Sequence, residues 1–284
     1  MNTSLSSRLF TEMDAERIDE SGFLDLSRTP RVVRFETILR EPLAWIIGPP
    51  WLGKTTVAQD VYGALRFQDP DSPLAALCSL TTLGAPNADA TVPPEWWADW
   101  KRNPAAEAVW LIDGVDEGCD RNRHLFNRIL QVIGATPTDH LKQLRLILFS
   151  RPYADASDFR DALNRTYPGI CGRYEPCQFW LARLDREAAE RMVGAERFPA
   201  VLEMIQQNKL ETVSGYPVVL HFLAAHSATG GRLTKAQVWR GIIKTQPSAA
   251  TKLGCRPSSY CIVKEPCGPR WPPGDLQRVL LGIR

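Results

Sequence analysis

Gly48-Pro-Pro-Trp-Leu-Gly53-Lys54-Thr55-Thr56 sets two glycines, a lysine and a hydroxyl at the spacing GxxxxGK(S/T). A loop with that pattern wraps its backbone N–H groups around a polyphosphate. Its lysine reaches the β- and γ-phosphates and its hydroxyl holds Mg²⁺. The bland alternative is a glycine-rich turn with an incidental lysine. Two further stretches carry groups suited to the same chemistry. Asp113-Gly-Val-Asp116-Glu117 clusters three carboxylates after an apolar run, and Ser150-Arg151-Pro152 ends another such run with a guanidinium. Three acids can also form a solvated loop. An arginine at a strand tip beside a phosphate site can stabilise charge on the γ-phosphate, and the same residue can equally be a surface arginine.

Each group needs an element to position it. Leu43 to Ile47 reads as a buried strand running into the loop, and Thr56-Val-Ala-Gln-Asp-Val-Tyr-Gly-Ala-Leu reads as a helix opening from it. Ala108 to Asp113 is apolar enough for a strand buried on both faces, as in a parallel sheet, with its acids at the C-terminal end where ligands bind in open α/β sheets. Gln143 to Ser150 is a further buried strand, Leu74 to Leu80 another, and Cys177 to Ala182 the last. Asn122 to Ile133 is an amphipathic helix with Leu125, Ile129, Leu130 and Ile133 inward and Gly134 as its C-cap. Trp96, Trp97 and Trp100 fall at helical spacing, and such a stripe reads as core packing before it reads as a base-stacking platform.

Residues 1–30 are polar and acid-rich, an extended arm that docks through a few apolar residues such as Phe10, Phe23 and Leu24. Arg31 to Arg40 predicts a short helix with Val32, Phe35, Ile38 and Leu39 on one face. From Asp185 onward the pattern is helical only: Arg186 to Val193, Ala200 to Asn208, Pro217 to Ala225 and Lys235 to Lys244. Alternating strands and helices followed by helices alone predict a doubly wound α/β unit, residues 31–185, with a small helical subdomain, residues 186–245. Residues 246–284 are rich in Pro and Gly and carry Cys255, Cys261 and Cys267 at even spacing. That tail is expected not to be a folded domain, and to be the remnant of a larger protein cut short or read out of frame.

Length and composition set the outer bounds. The chain has 284 residues, 44% hydrophobic, enough for one large domain with accessories or for two. Its net charge of +2 comes from the tail, which holds six Lys/Arg against two Asp/Glu, leaving 28 against 30 elsewhere. The near-neutral body gives no electrostatic case for nucleic acid as the main ligand. No basic segment followed by an apolar run opens the chain and no eighteen apolar residues occur together, so a cytoplasmic protein without membrane partners is expected. Seven scattered cysteines, without a Cys-x-x-Cys pair, indicate neither a disulfide framework nor a zinc site.

Taken in order, GPPWLGKTT, VWLIDGVDE, LILFSRP and SGYP resemble the NACHT class of STAND signal-transduction P-loop NTPases over about residues 31–245. The resemblance implies a P-loop NTPase three-layer α/β fold, with a parallel five-stranded sheet in which the Ser-Arg strand lies between the phosphate-loop strand and the acidic strand. It implies an ATP-binding switch, ADP-held at rest, with slow Mg²⁺-dependent ATP hydrolysis as its reset. It further implies oligomerisation through the NTPase core, an unknown sensor ligand or effector, and for bacterial members a place in antiphage defence.

Carried over by position, Gly48, Pro49, Pro50, Trp51, Leu52, Gly53, Lys54, Thr55 and Thr56 would bind the nucleotide phosphates, and Pro217 would pack on adenine. Thr55 and Asp113 would hold Mg²⁺, Asp116 and Glu117 would position or activate the attacking water, and Arg151 would sense the γ-phosphate. Gly114 stands where many related ATPases carry a catalytic Glu. Trp51 stands where relatives commonly carry Gly, and Phe149 where Thr is common. The chain also ends before a winged helix or sensor repeats would fit. The competing expectations are a non-hydrolysing nucleotide-binding interaction module, with the tryptophans of residues 96–100 meeting a partner, and an inactive truncated fragment.

Overall fold

A computed structural model describes residues 8–12, 16–66, 73–80, 92–103, 105–116, 123–152, 165, 177–227 and 232–245. These fall into two compact units. One contains Thr29–Gly48 and Gly53–Ala182 with the arm before Arg17; the other contains Arg17–Arg28, Pro49–Leu52 and the chain from Arg183 onward.

The first unit is built on a seven-stranded sheet. Its strands are β1 (Phe10–Thr11), β2 (Val32–Val33), β3 (Leu43–Ile47), β4 (Leu74–Ser79), β5 (Ala108–Asp113), β6 (Leu144–Ser150) and β7 (Cys177–Leu181), in the order β2-β1-β7-β3-β6-β5-β4. The five strands from β7 to β4 pair in parallel, and β1 pairs antiparallel with both β7 and β2. β6 therefore lies between the loop-bearing β3 and the acidic β5, the order expected of a P-loop NTPase fold.

Side chains alternate across each strand, and the burial pattern shows both faces covered. Leu43 and Trp45 of β3, Trp110 and Ile112 of β5, and Leu146 and Leu148 of β6 join one core. It is closed by α3 (Trp97–Trp100), α4 (Arg123–Gly134, through Ile129 and Ile133) and α5 (Thr138–Leu141, through Leu141). On the opposite face lie Ile46, Leu111, Ile147 and Phe149, all fully buried, with Val57, Ala58 and Val61 of α2 (Lys54–Arg66).

The tryptophans are core. Trp97 and Trp100 are buried and Trp97 meets Trp110 edge-on at 5.1 Å, while the half-buried Trp96 donates its indole N–H to Ala75 O of β4 at 3.1 Å. Gly134 is the last helical residue of α4 rather than a cap beyond it. The helix predicted over residues 31–40 is reduced to α1 (Phe35–Ile38), because Val32 and Val33 pair with the arm as β2. Phe35 and Ile38 keep the buried face expected of them. The arm itself forms β1, whose register with β7 is fixed at Phe10↔Leu181, and Arg8 donates to Ala182 O at 2.6 Å.

The second unit is helical: α6 (Arg186–Val193), α7 (Phe198–Asn208), α8 (Glu211–Ser214), α9 (Pro217–His226) and α10 (Lys235–Thr245). Its helix starts follow local chemistry. Asp185 accepts from Ala188 N at 2.7 Å to cap α6. Thr234 and Gln237 form a reciprocal capping box at the start of α10. The arm residues Phe23 and Leu24 are buried here, Phe23 against Phe198 and Leu24 through its N–H to Leu184 O.

The arm approaches α8 closely at one point. Ser214 Oγ donates to Ser21 O, and Gly22 has φ +83 with a β-carbon position that overlaps the Glu211 carbonyl. A Gly22→Ala variant should lose more than about 2 kcal/mol of stability in urea titration, since it adds both the left-handed penalty and a backbone clash. Gly63→Ala, in α2 with nothing within 4 Å of the added carbon, should gain about 0.5–1 kcal/mol.

Candidate functional site

The register of three parallel strands brings their C-terminal ends level. Ile47 lies opposite Ser150, and Phe149 opposite Asp113. The chain leaving each strand continues the pairing by one bond, from Gly48 N–H to Ser150 O and from Gly114 N–H to Phe149 O, both at 3.1 Å. The loop after β3, the acids after β5 and the arginine after β6 are thereby fixed along one edge of the sheet. A buried side-chain bond strengthens this alignment, with Trp45 Nε1–H donating to Ser150 Oγ at 2.5 Å. That bond was not legible in the sequence, because it joins residues far apart in the chain.

The loop delivers the chain straight into α2. Val57 N–H closes onto Gly53 O at 3.0 Å, so the amides of Lys54, Thr55 and Thr56 stand at the open end of the helix, where a dipole and N–H groups favour an anion. Lys54 Nζ donates to Gly48 O at 2.6 Å, folding the lysine back across the loop. Thr55 Oγ1 donates to Asp113 Oδ2 at 2.7 Å. Asp113 is only 3% exposed, so its carboxylate depends on donors supplied by the protein.

Beyond β5 the backbone turns at Gly114, whose φ of +74 lies in the left-handed region. A side chain there would be strained, which accounts for glycine at this position. The turn sends Asp116 back toward β6. Its carboxylate accepts from Arg151 N–H at 3.1 Å and pairs with the Arg151 guanidinium at 3.6 Å. Asp116 is 8% exposed, so the arginine both satisfies and covers it.

Lys54, Thr55, Asp113, Asp116 and Arg151 thus come together in the first unit. Glu117 lies outside the described residues. Pro217 belongs to the second unit, half-buried at the first helical position of α9 where its fixed φ is favoured. Phe149, on the strand between loop and acids, is fully buried on the α2 face and offers no polar atom to the site.

Trp51, noted above as a departure from glycine in the loop, has a φ of +64. Following Pro50, that pairing of proline with positive φ is the pattern of a type II turn, where Gly or Asn is usual. The left-handed conformation costs a non-glycine residue about 1–2 kcal/mol. Trp51 is 42% exposed, yet its ring lies 4.8 Å from that of Trp239 of α10. No local pattern in the chain relates these two tryptophans.

On the neighbouring strand β4, burial pushes the Cys78 thiol up to about 12, which keeps it neutral. Among the described residues no cluster of three or more His, Cys, Asp or Glu could hold a metal ion by side chains alone. None of the described helices is long and apolar enough to cross a membrane.

No family model matches the chain, and no curated protein matches it. Solved structures similar to it include the ORC2 protein of Aeropyrum pernix, at 13% identity and TM-score 0.43 over 84% of this chain and 74% of that one. The Walker-type ATPase of Pyrococcus abyssi is similar at 12% identity and TM-score 0.41, over 74% and 69%. Domain III of the replication initiation protein DnaA from Thermotoga maritima follows at 16% and 0.38, over 74% and 88%. The P-loop NTPase fold of this chain is read from its own strand order and the loop leading into α2.

The Thr55 hydroxyl donates to the buried Asp113 carboxylate at this edge. Replacing Thr55 with Val, which keeps the shape and removes the hydroxyl, should lower stability by about 1–2 kcal/mol in urea titration without nucleotide. Thr55→Ser should restore most of it.

Proposed function

We propose that this chain is an ATP-binding switch module with slow Mg²⁺-dependent ATP hydrolysis, of the NACHT-type STAND kind its motifs resemble. The observation that carries the reading is the convergence of a GxxxxGKT loop on a buried carboxylate through Thr55 and Asp113, with Asp116 and Arg151 on the adjoining strand ends. The amides at the start of α2 and the ammonium of Lys54 bind the phosphates. By the resemblance, Pro217 would pack on the adenine.

Thr55 Oγ1 and the Asp113 carboxylate form an oxygen-only donor pair, the hard set that suits Mg²⁺ completed by waters and phosphate oxygens. The bound ion would neutralise charge on the β- and γ-phosphates. Asp116, with Glu117 after it, orients the attacking water, and Arg151 senses the γ-phosphate. In the geometry described, Arg151 occupies the Asp116 carboxylate through both its N–H and its guanidinium. A carboxylate so engaged is not free to bond a water, so turnover waits on release of Arg151, as befits a switch.

The same resemblance supports a cytoplasmic protein that oligomerises through its NTPase core and answers to a sensor ligand or effector, in bacterial members against phage. The burial of Trp97 and Trp100 against the sheet speaks against the alternative of a partner surface at the tryptophans.

Lys54→Ala should abolish ATP binding in isothermal titration calorimetry, and an unchanged affinity would sink the assignment. Asp116→Asn should still bind ATP but release phosphate at least about tenfold more slowly at saturating Mg²⁺-ATP. Equal turnover would remove Asp116 from the mechanism, and no phosphate release from the unaltered chain would favour a non-hydrolysing module.

A further inference from the structure

The tip of the phosphate loop, Pro49–Leu52, packs as part of the helical unit. Within that unit Trp51 holds a conformation that its own backbone disfavours, φ +64, between two prolines on one side and Gly53 at φ +92 on the other. Leu52, its neighbour, is 1% exposed. The Trp51 ring lies 4.8 Å from the Trp239 ring at an interplanar angle of 30°. Trp239 in turn meets Tyr216 edge-on at 6.4 Å, and the Arg183 guanidinium sits 5.1 Å over the Tyr216 ring. The helix that carries Trp239 is well anchored, with Val238 and Ile242 fully buried and a capping box at its start.

We infer that Trp239 is a positioning residue for the phosphate loop, holding Trp51 left-handed so that the loop amides after it keep their aim. The proposal rests on the nucleotide-binding reading and adds a residue that no loop motif contains. A glycine at position 51 would reach the same φ unaided. A tryptophan there needs an anchor, and α10 supplies a rigid aromatic face against which it stacks. Without the anchor Trp51 relaxes to negative φ, and the peptide planes that follow turn away from the phosphates.

The inference makes a demand that ordinary packing does not: the need for Trp239 should vanish when residue 51 is glycine. ATP affinity of the full chain, measured by calorimetry, should fall about tenfold in Trp239→Leu, and should fall no further when Trp239→Leu is added to Trp51→Gly. The double variant should match Trp51→Gly. Unchanged affinity in Trp239→Leu overturns the inference, and so does a loss of about tenfold on adding Trp239→Leu to Trp51→Gly, which would mark a general structural role.

Hydrogen exchange without nucleotide supplies an independent arm. Trp239→Leu should speed exchange at the amides of Trp51, Leu52 and Gly53 while leaving those of α10 protected, and unaltered loop exchange overturns the inference. If the unaltered chain binds no ATP, the nucleotide reading falls, and the exchange result alone decides whether Trp239 holds the loop.

Discussion

The hydroxyl of Thr55 on the carboxylate of Asp113 ties the first turn of α2 to the last residue of β5. The rest of the site depends on that tie. Asp113 is buried, and a buried carboxylate must be given donors or cost several kcal/mol. Thr55 is placed to serve because the loop is short and enters the helix at Lys54. One bond therefore sets the distance between the open N-terminal end of a helix and the buried acid at the end of β5.

The order of the strands then decides what else can join. A parallel strand cannot follow its neighbour by a hairpin, so each returns through a crossover and its C-terminal end emerges on the same edge. With β6 inserted between β3 and β5, Ser150 and Arg151 arrive between the loop and the acids. Arg151 meets Asp116 only because Gly114 turns the chain back across the end of β5. Moving Arg151 to any other strand end would separate it from both.

Much of this was legible in the sequence because it is local or periodic. Leu43–Ile47, Ala108–Asp113 and Leu144–Ser150 are strands too apolar to be half-exposed, and Arg186–Val193 shows its helical period plainly. The loop residues Lys54 and Thr55 were fixed by spacing alone. What escaped reading was decided by partners distant in sequence. Val32 and Val33 suit a helical face as well as a strand, and only the arm paired at β1 makes them β2. The short helix α8 has no period to detect in its four residues. Trp45 reaching Ser150, and Trp51 stacking on Trp239, join positions that no local pattern relates.

Trp51 shows why a departure from a motif can be information rather than noise. The left-handed backbone costs it about 1–2 kcal/mol, and an aromatic pair contributes about 0.5–1.5 kcal/mol beyond the area it buries. Two terms of similar size and opposite sign leave the loop conformation near balance. A glycine in the same place would remove both terms and make the loop independent of α10. With tryptophan, the shape of the phosphate-binding loop depends on a ring carried by the helical unit, so whatever moves that helix changes the loop. That dependence arises from one side chain whose backbone would not otherwise accept its place.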